Sequence, residues 1–438
     1  MSDRHDFSVP TLGERKVPSP LGLSNKVDDD LADYTCDDDR IVFDATGASP
    51  GLFFERAGPR ERIFFRSEDV TAGIVTCGGL CPGMNNVVRA LVRRLWFGYG
   101  ARRILGFRYG FLGMTHASRE KPLPLDPDVI HGIHRQGGTM LGSSRGPQEA
   151  SDMVDYLDEK GVNLVFAIGG DGTMRGAQAL FEEVSRRGLE IGIVGVPKTI
   201  DNDIQFIEKT FGFDTAVAVA TGAIDAARVE AIGASHGIGL VRLMGRHSGF
   251  IAASAAIASR EVNLVLVPEL SFDLHGERGI LQYLRWRLET RGHAVVVVAE
   301  GAGQNHLQAS SAKDLSGNVK LGDIGIFLRD TFTRELQELD VTVKYIDPSY
   351  MVRAAPANPS DAIFCGQLAE GAVHAAMAGK TGLVMGYWLG HFTHVPLKAV
   401  SRGRKVISLD GPFWRNALEA TGQPMVLSAA PDATTVRG

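Results

Sequence analysis

The most chemically loaded stretch of the chain is Pro197-Lys198-Thr199-Ile200-Asp201-Asn202-Asp203, where two carboxylates alternate beside a lysine and a threonine hydroxyl. A hydroxyl that attacks a phosphoryl group needs a proton acceptor, while a metal and cationic donors stabilise the charge in transit. Asp201 and Asp203 could divide those tasks; a polar turn would use the same residue types. A second carboxylate site is Gly-Gly-Asp-Gly-Thr at 169–173, which leaves Asp171 on a loop with little side-chain bulk around it. Such a carboxylate suits Mg²⁺, which is held by one or two carboxylates together with substrate phosphates. The alternative is a helix cap by Asp171 or Thr173.

A third loop, Cys-Gly-Gly-Leu-Cys-Pro-Gly at 77–83, could bring backbone N–H groups and a helix N-terminus close to a phosphate. It matches neither the dinucleotide fingerprint nor the Walker loop, and a merely tight turn remains open. Positive groups stand in Leu-Gly-Ser-Ser-Arg145-Gly, Met-Gly-Arg246-His-Ser-Gly and Tyr-Met-Val-Arg353. Converging arginines bind phosphates in two-point fashion, although each alone reads as a surface residue. His247 is assigned no role.

These loops need elements to hold them. From residue 70 the pattern is apolar run, Gly-rich turn, helix, repeated, which predicts βαβ units and a parallel sheet. Met84, Val87, Val88, Leu91, Val92, Leu95 and Trp96 form one helical stripe, with Arg89, Arg93 and Arg94 off it and expected in solvent. Apolar runs at 163–168, 191–196, 238–243, 262–267, 294–299 and 341–346 are expected strands. Ligands in such sheets bind beyond the carboxyl ends of the strands, where the candidate loops fall. The Ala-rich stretch after Gly249 is expected to be a helix, for a core or an interface. Residues 1–68, with Ser-Pro pairs and acidic triplets, read as an extended arm or a solvated tail.

The 438 residues exceed one ordinary core, so two domains are expected. A composition 44% hydrophobic and 22% charged fits a soluble globular chain, and a net charge of −5 offers no general attraction to nucleic acid or anionic lipid. No apolar stretch approaches the roughly 18 residues of a membrane span, and the polar opening gives the cytoplasm as the expected location. Cys36, Cys77, Cys81 and Cys365 form neither a disulfide framework nor a metal-ligand spacing.

Gly-Gly-Asp-Gly resembles the phosphate-binding motif of NAD kinases and lipid kinases. The full series is more specific: Gly-Gly-Leu-Cys-Pro-Gly-Met-Asn at 78–85, then 169–173, 197–203, Met-Gly-Arg-His-Ser-Gly at 244–249 and Ala-Glu-Gly at 299–301. In that order these runs resemble the phosphofructokinase family over roughly residues 60–400. The resemblance implies transfer of a phosphoryl group to the 1-hydroxyl of fructose 6-phosphate in glycolysis, by two doubly wound α/β domains assembled as a homo-oligomer, a tetramer or a dimer. It implies Asp201 as base, Thr199 as sugar holder, Asp171 on Mg²⁺, and Arg246 with Arg145 on the transferring phosphoryl. Gly79, Arg145, Gly146, Gly170, Asp171, Gly172 and Thr173 would line the ATP site. Thr199, Ile200, Asp201, Met244, Gly245, Arg246, Glu300, Lys344, Tyr350, Met351, Val352 and Arg353 would meet the sugar phosphate. The implied division is an arm at 1–68, a donor domain at 69–212 completed by about 355–395, and a sugar-phosphate domain at 213–354 completed by about 396–438.

Two departures stand out. Gly237 occupies the place where the bacterial pattern has an arginine reaching a neighbouring subunit's sugar phosphate. Tyr350 and Lys344 replace a usual histidine and arginine. Both variants, and the long arm, are similar to the trypanosome and plant enzymes. For the donor, Gly172 leaves room where an aspartate would repel the α-phosphate of ATP, whereas Lys198 resembles pyrophosphate users; the subgroup with both residues uses ATP. Pyrophosphate dependence is the alternative. A silent regulatory subunit would be expected to lack Asp171, Asp201 or Arg246, an NAD-kinase-type enzyme would lack the later motifs, and a dehydrogenase needs a Gly-x-Gly-x-x-Gly absent here.

Overall fold

A computed structural model describes residues 7–23, 34–46, 49, 51–308, 312, 319–401 and 403–428. Its strands are β1 (Val17–Pro18), β2 (Arg40–Val42), β3 (Phe53–Arg56), β4 (Arg62–Ile63), β5 (Thr71–Thr76), β6 (Arg103–Phe107), β7 (Leu123–Pro124), β8 (Leu164–Gly169), β9 (Gly192–Pro197), β10 (Gly237–Leu243), β11 (Leu264–Leu266), β12 (His293–Ala299), β13 (Thr342–Ile346), β14 (Leu383–Trp388) and β15 (His391–Pro396). Its helices are α1 (Met84–Arg93), α2 (Ala150–Glu159), α3 (Asp171–Arg187), α4 (Phe213–Ile232), α5 (Phe250–Ser259), α6 (Ile280–Arg291), α7 (Ile324–Glu335), α8 (Ser349–Ala354), α9 (Pro359–Met377), α10 (Leu397–Val400) and α11 (Pro412–Thr421). The chain divides into two compact units: 1–200, 204–212 and 353–404 form the first, and 201–203, 213–352 and 405–438 the second.

The first unit is built on a sheet in the order β2-β3-β15-β14-β9-β8-β5-β6-β7. Its centre, β14-β9-β8-β5-β6, is parallel. β5, β8 and β9 are buried along their whole length, which is why they read as continuous apolar runs. The sheet is mixed, not purely parallel: β14 and β15 form an antiparallel hairpin, turned by Leu389 and Gly390 at φ 48° and 81°. Positive φ at both central residues matches the right-handed twist of the flanking strands. β2 and β3 extend this sheet past β15, so these two segments of the N-terminal stretch are packed on the first unit. Phe7, Phe43, Phe54, Phe206 and Trp388 stack there as an aromatic cluster.

Beneath it lies a buried ionic knot. Glu55 accepts from Lys380 Nζ at 2.8 Å, Arg60 Nη2 at 2.9 Å and His394 Nδ1 at 3.1 Å. Burial opposes ionisation of Glu55, but the hydrogen bonds from His394 and Lys380 outweigh it and hold the carboxyl far below its usual range.

On α1 the apolar stripe is buried, with Leu95 and Tyr99 continuing it in a π-helical turn at 94–99. Arg93 is exposed, as the stripe predicts, but Arg89 and Arg94 are half-buried. Arg94 instead reaches Glu370 and the ring of His374 on α9, the helix that packs on α1.

The second unit has a fully parallel sheet in the order β11-β12-β10-β13. Gly237 and Gly239 on β10 let the alanine-rich α4 lie against it: a Cβ there would come within 2.1 Å of the Ala231 carbonyl oxygen and 2.5 Å of that of Ala227. Ile251, Ala252, Ala253, Ala255 and Ala256 of α5 are buried within this unit, so its small residues serve a core.

His374 carries a pH signature. Its Nδ1 lies 2.7 Å from the Tyr99 hydroxyl and its Nε2 3.4 Å from Arg94, and burial, then the charges of Arg94 and Arg60, push it down to about 3. The unfolded chain takes up this proton near pH 6.5, so its contribution is intact above that pH and lost as pH falls toward 3. At pH 5 the loss is on the order of 2 kcal/mol. Replacing His374 with Gln is therefore expected to shrink the difference in melting temperature between pH 7 and pH 5; an unchanged difference would contradict the assignment.

Candidate active site

Parallel pairing brings three loops of the first unit together at the carboxyl ends of their strands. The Cys77 N–H donates to the Ile168 carbonyl and the Lys198 N–H to the Gly169 carbonyl, both at 2.9 Å, so the loops after β5, β8 and β9 leave the sheet side by side. Gly83 caps α1 at φ 94°, where a Cβ would meet Cys365 Sγ at 2.6 Å, and only glycine fits. The strap 143–145 lies over this loop: the Gly78 N–H donates to the Ser144 carbonyl, and Ser143 Oγ to the Gly78 carbonyl at 2.6 Å. Arg145 is exposed, with Nη2 3.0 Å from where a Gly79 Cβ would stand.

Lys198 is buried and donates from Nζ to the Gly79 carbonyl at 2.6 Å, fastening the first loop to the third. Its ammonium is pushed down, chiefly by burial; Arg145 and Arg353 add to this, against the opposing influence of Cys81 and Cys77. Thr199 accepts at its carbonyl from Thr210 Oγ1 at 2.7 Å.

After β8, Gly170 caps α3, and Asp171 opens the helix, where the dipole favours a carboxylate. Asp171 Oδ2 accepts from Arg175 Nη1 at 2.5 Å and Arg404 Nη2 at 3.0 Å. Neither arginine is marked by the sequence: Arg404 stands in the polar run Ser-Arg-Gly-Arg-Lys, which reads as surface. Beside Gly172 the space is open, with Arg175 Nη2, 3.8 Å from an added Cβ, the nearest neighbour.

The second unit gathers another set. Met244 and Gly245 follow β10 and Glu300 follows β12, and the two loops are zipped by Glu300 N–H to the Leu243 carbonyl at 2.9 Å and Gly301 N–H to the Gly245 carbonyl at 3.0 Å. Asp201 joins them, its carbonyl accepting from Ser248 Oγ at 3.4 Å, two residues beyond Arg246. Arg246 donates from Nη1 to the Val319 carbonyl at 2.7 Å. The Glu300 carboxylate accepts from Arg242 Nη2 at 3.0 Å, and Arg242 also reaches Asp347 at 2.6 Å. Arg242, a residue the sequence reading passed over, thus orients Glu300.

Not all the expected residues join these sets. Lys344 pairs in register with Gly239, four residues before Leu243, so it stands about 13 Å back along the sheet. It lies 3.5 Å from Glu230 of α4 instead. Tyr350 and Met351 are exposed and Val352 is buried, all in the second unit, whereas Arg353 belongs to the first, within electrostatic reach of Lys198. Gly146, at φ 109°, follows Arg145 in the strap.

The family model described as phosphofructokinase matches residues 71–376. An ATP-dependent 6-phosphofructokinase of Arabidopsis thaliana is 43% identical, covering 98% of this chain and 92% of its own. The ATP-dependent 6-phosphofructokinase of Trypanosoma brucei brucei is 46% identical over 84% of this chain and 76% of its own. The crystal structure of a pyrophosphate-dependent phosphofructokinase from Marinobacter aquaeolei superposes with a TM-score of 0.67 at 21% identity, over 83% of this chain and 94% of that one, a likeness of fold.

At Gly237 the close approach of α4 leaves no room for the arginine of the bacterial pattern. Gly237→Arg is expected to abolish soluble, cooperatively melting protein; a folded variant with an unshifted melting temperature would contradict the packing argument.

Proposed function

The chain belongs to the phosphofructokinase family, and on that premise we propose that it is an ATP-dependent 6-phosphofructokinase, a glycolytic phosphotransferase acting on the 1-hydroxyl of fructose 6-phosphate. Similarity to enzymes of that name, near-full-length for the Arabidopsis relative, supports the reading. The observation that carries the donor is the open space at Gly172, which leaves room for a nucleotide where an aspartate would intrude. Lys198, the residue shared with pyrophosphate users, is here committed to the Gly79 carbonyl.

In this reading the loops of 78–83 and 170–173, with Gly79, Gly146 and Thr173, receive the triphosphate on backbone N–H groups and the start of α3. The donor set fits Mg²⁺: Asp171 offers a hard carboxylate whose two arginine partners both sit on Oδ2, and Mg²⁺ is held by one or two carboxylates together with substrate phosphates. Asp171 would hold the ion, and the chemistry it would supply there is neutralisation of charge on the phosphates. Asp201 accepts the proton of the attacking hydroxyl, Thr199 and Ile200 hold the sugar near it, and Arg246 with Arg145 meets the charge of the transferring group. Met244, Gly245 and Glu300 contact the sugar, while Tyr350, Met351, Val352 and Arg353 supply its phosphate surroundings.

A cytoplasmic homo-oligomer, a tetramer or dimer, is part of the same proposal. The free cysteines suit a reducing compartment, and exposed Val229, Ile232 and Trp286 offer apolar contact surface. No helix among the described residues is long and apolar enough to cross a membrane.

Asp201→Asn is expected to lower kcat at least about 100-fold with the melting temperature retained, measured in a coupled assay; near-native kcat would remove Asp201 as base. Because nothing crowds position 172, Gly172→Asp should fold normally and raise the KM for ATP by about tenfold or more through like-charge repulsion. Unchanged ATP kinetics in that variant would sink the steric argument.

A further inference from the structure

The two guanidinium groups on Asp171 differ in origin. Arg175 lies one turn along α3 and is half-exposed. Arg404 comes from the far end of the first unit, on a backbone that is itself fixed: it forms an antiparallel bridge with Ile204, the residue that follows the 197–203 run. The neighbouring Lys405 N–H donates to the Asp203 carbonyl at 2.9 Å. The side chain that reaches Asp171 therefore starts from an anchored strand-like segment.

Both guanidinium groups bond the same oxygen, Oδ2. We propose that Arg404 is a positioning residue of the donor site: it locks the Asp171 carboxylate through Oδ2, leaves Oδ1 as the oxygen that would take the metal, and adds positive charge beside the polyphosphate. The inference rests on the reading of Asp171 as the metal-holding carboxylate. It has a consequence of opposite sign for two ligands. A bare divalent cation is repelled by the guanidinium charges, whereas a metal–nucleotide complex, which is net negative, is attracted. The site thus selects the metal already seated on its nucleotide.

The test uses the full chain and two probes, Mn²⁺ alone and Mn²⁺ with the non-hydrolysable nucleotide AMP-PNP, followed by electron paramagnetic resonance and calorimetry. In Arg404→Ala the Kd for Mn²⁺–AMP-PNP is expected to rise about tenfold, the loss of one charged hydrogen bond. Affinity for Mn²⁺ alone should stay the same or tighten, and the KM for fructose 6-phosphate should stay within about twofold of the unaltered enzyme. Arg404→Lys should restore most of the nucleotide affinity. Unchanged Mn²⁺–AMP-PNP affinity, or a parallel loss for Mn²⁺ alone, overturns the proposal; should the alanine variant not fold, Arg404→Gln gives the same readings. Phosphofructokinase activity that persists beside an unaffected Arg404→Ala defeats this inference alone. A native chain that binds Mn²⁺–AMP-PNP with the expected Arg404 dependence yet leaves fructose 6-phosphate untouched defeats the functional reading alone.

Discussion

The three candidate loops of the first unit depend on the parallel register of β5, β8 and β9. Ile168 pairs with both Thr76 and Val196, and Gly169 with Pro197, so three loops end at the same level of the sheet. Shifting one of these strands by a residue would turn its side chains to the opposite face and carry its loop out of line. The strands hold register because they are buried on both faces, and a buried β-ladder leaves no unpaired backbone group at low cost. Lys198 adds a cross-tie at the open end, where the ladder has stopped and glycines would otherwise leave the loops loose.

Charge is arranged on that frame in two ways. Away from the candidate site, Glu55 accepts from Lys380, Arg60 and His394 in a buried knot, and removing one partner would leave buried charge uncompensated. At the site, by contrast, Arg145 is left exposed beside Gly79, and Asp171 has its positive partners on one oxygen. The first arrangement serves stability, the second leaves positive charge for an anionic ligand. Arg242, between Glu300 and Asp347, plays the corresponding orienting part in the second unit.

Much of this was legible in the residues. Continuous apolar runs marked β8, β9, β10 and β12 because burial on both faces removes the need for polar positions, and the stripe on α1 follows the helical period. The antiparallel β14–β15 hairpin was not legible: its turn, Leu389-Gly390, lacks the Asn-Gly or Asp-Gly signal. The placement of β2 and β3 on the main sheet also escaped, since three- and four-residue strands carry too little alternation to read. Among site residues, the glycine-rich run 169–173 announced Asp171, and the alternating carboxylates of 197–203 announced Asp201. Arg404 and Arg242 gave no such sign, because an arginine that meets a carboxylate only through tertiary folding looks like any surface arginine. Lys344 shows a limit of another kind: sequence order shows that it belongs to β13 but not that the register pairs it with Gly239, four residues before the end of β10.

Together these features describe a phosphofructokinase whose glycine at 172 leaves room for a nucleotide and whose lysine at 198 is tied into the scaffold. The most direct measurement is the initial rate of fructose 1,6-bisphosphate formation by the purified full-length protein, with ATP and with pyrophosphate compared at matched Mg²⁺. The structure predicts rapid turnover with ATP and little with pyrophosphate; faster turnover with pyrophosphate would contradict the account.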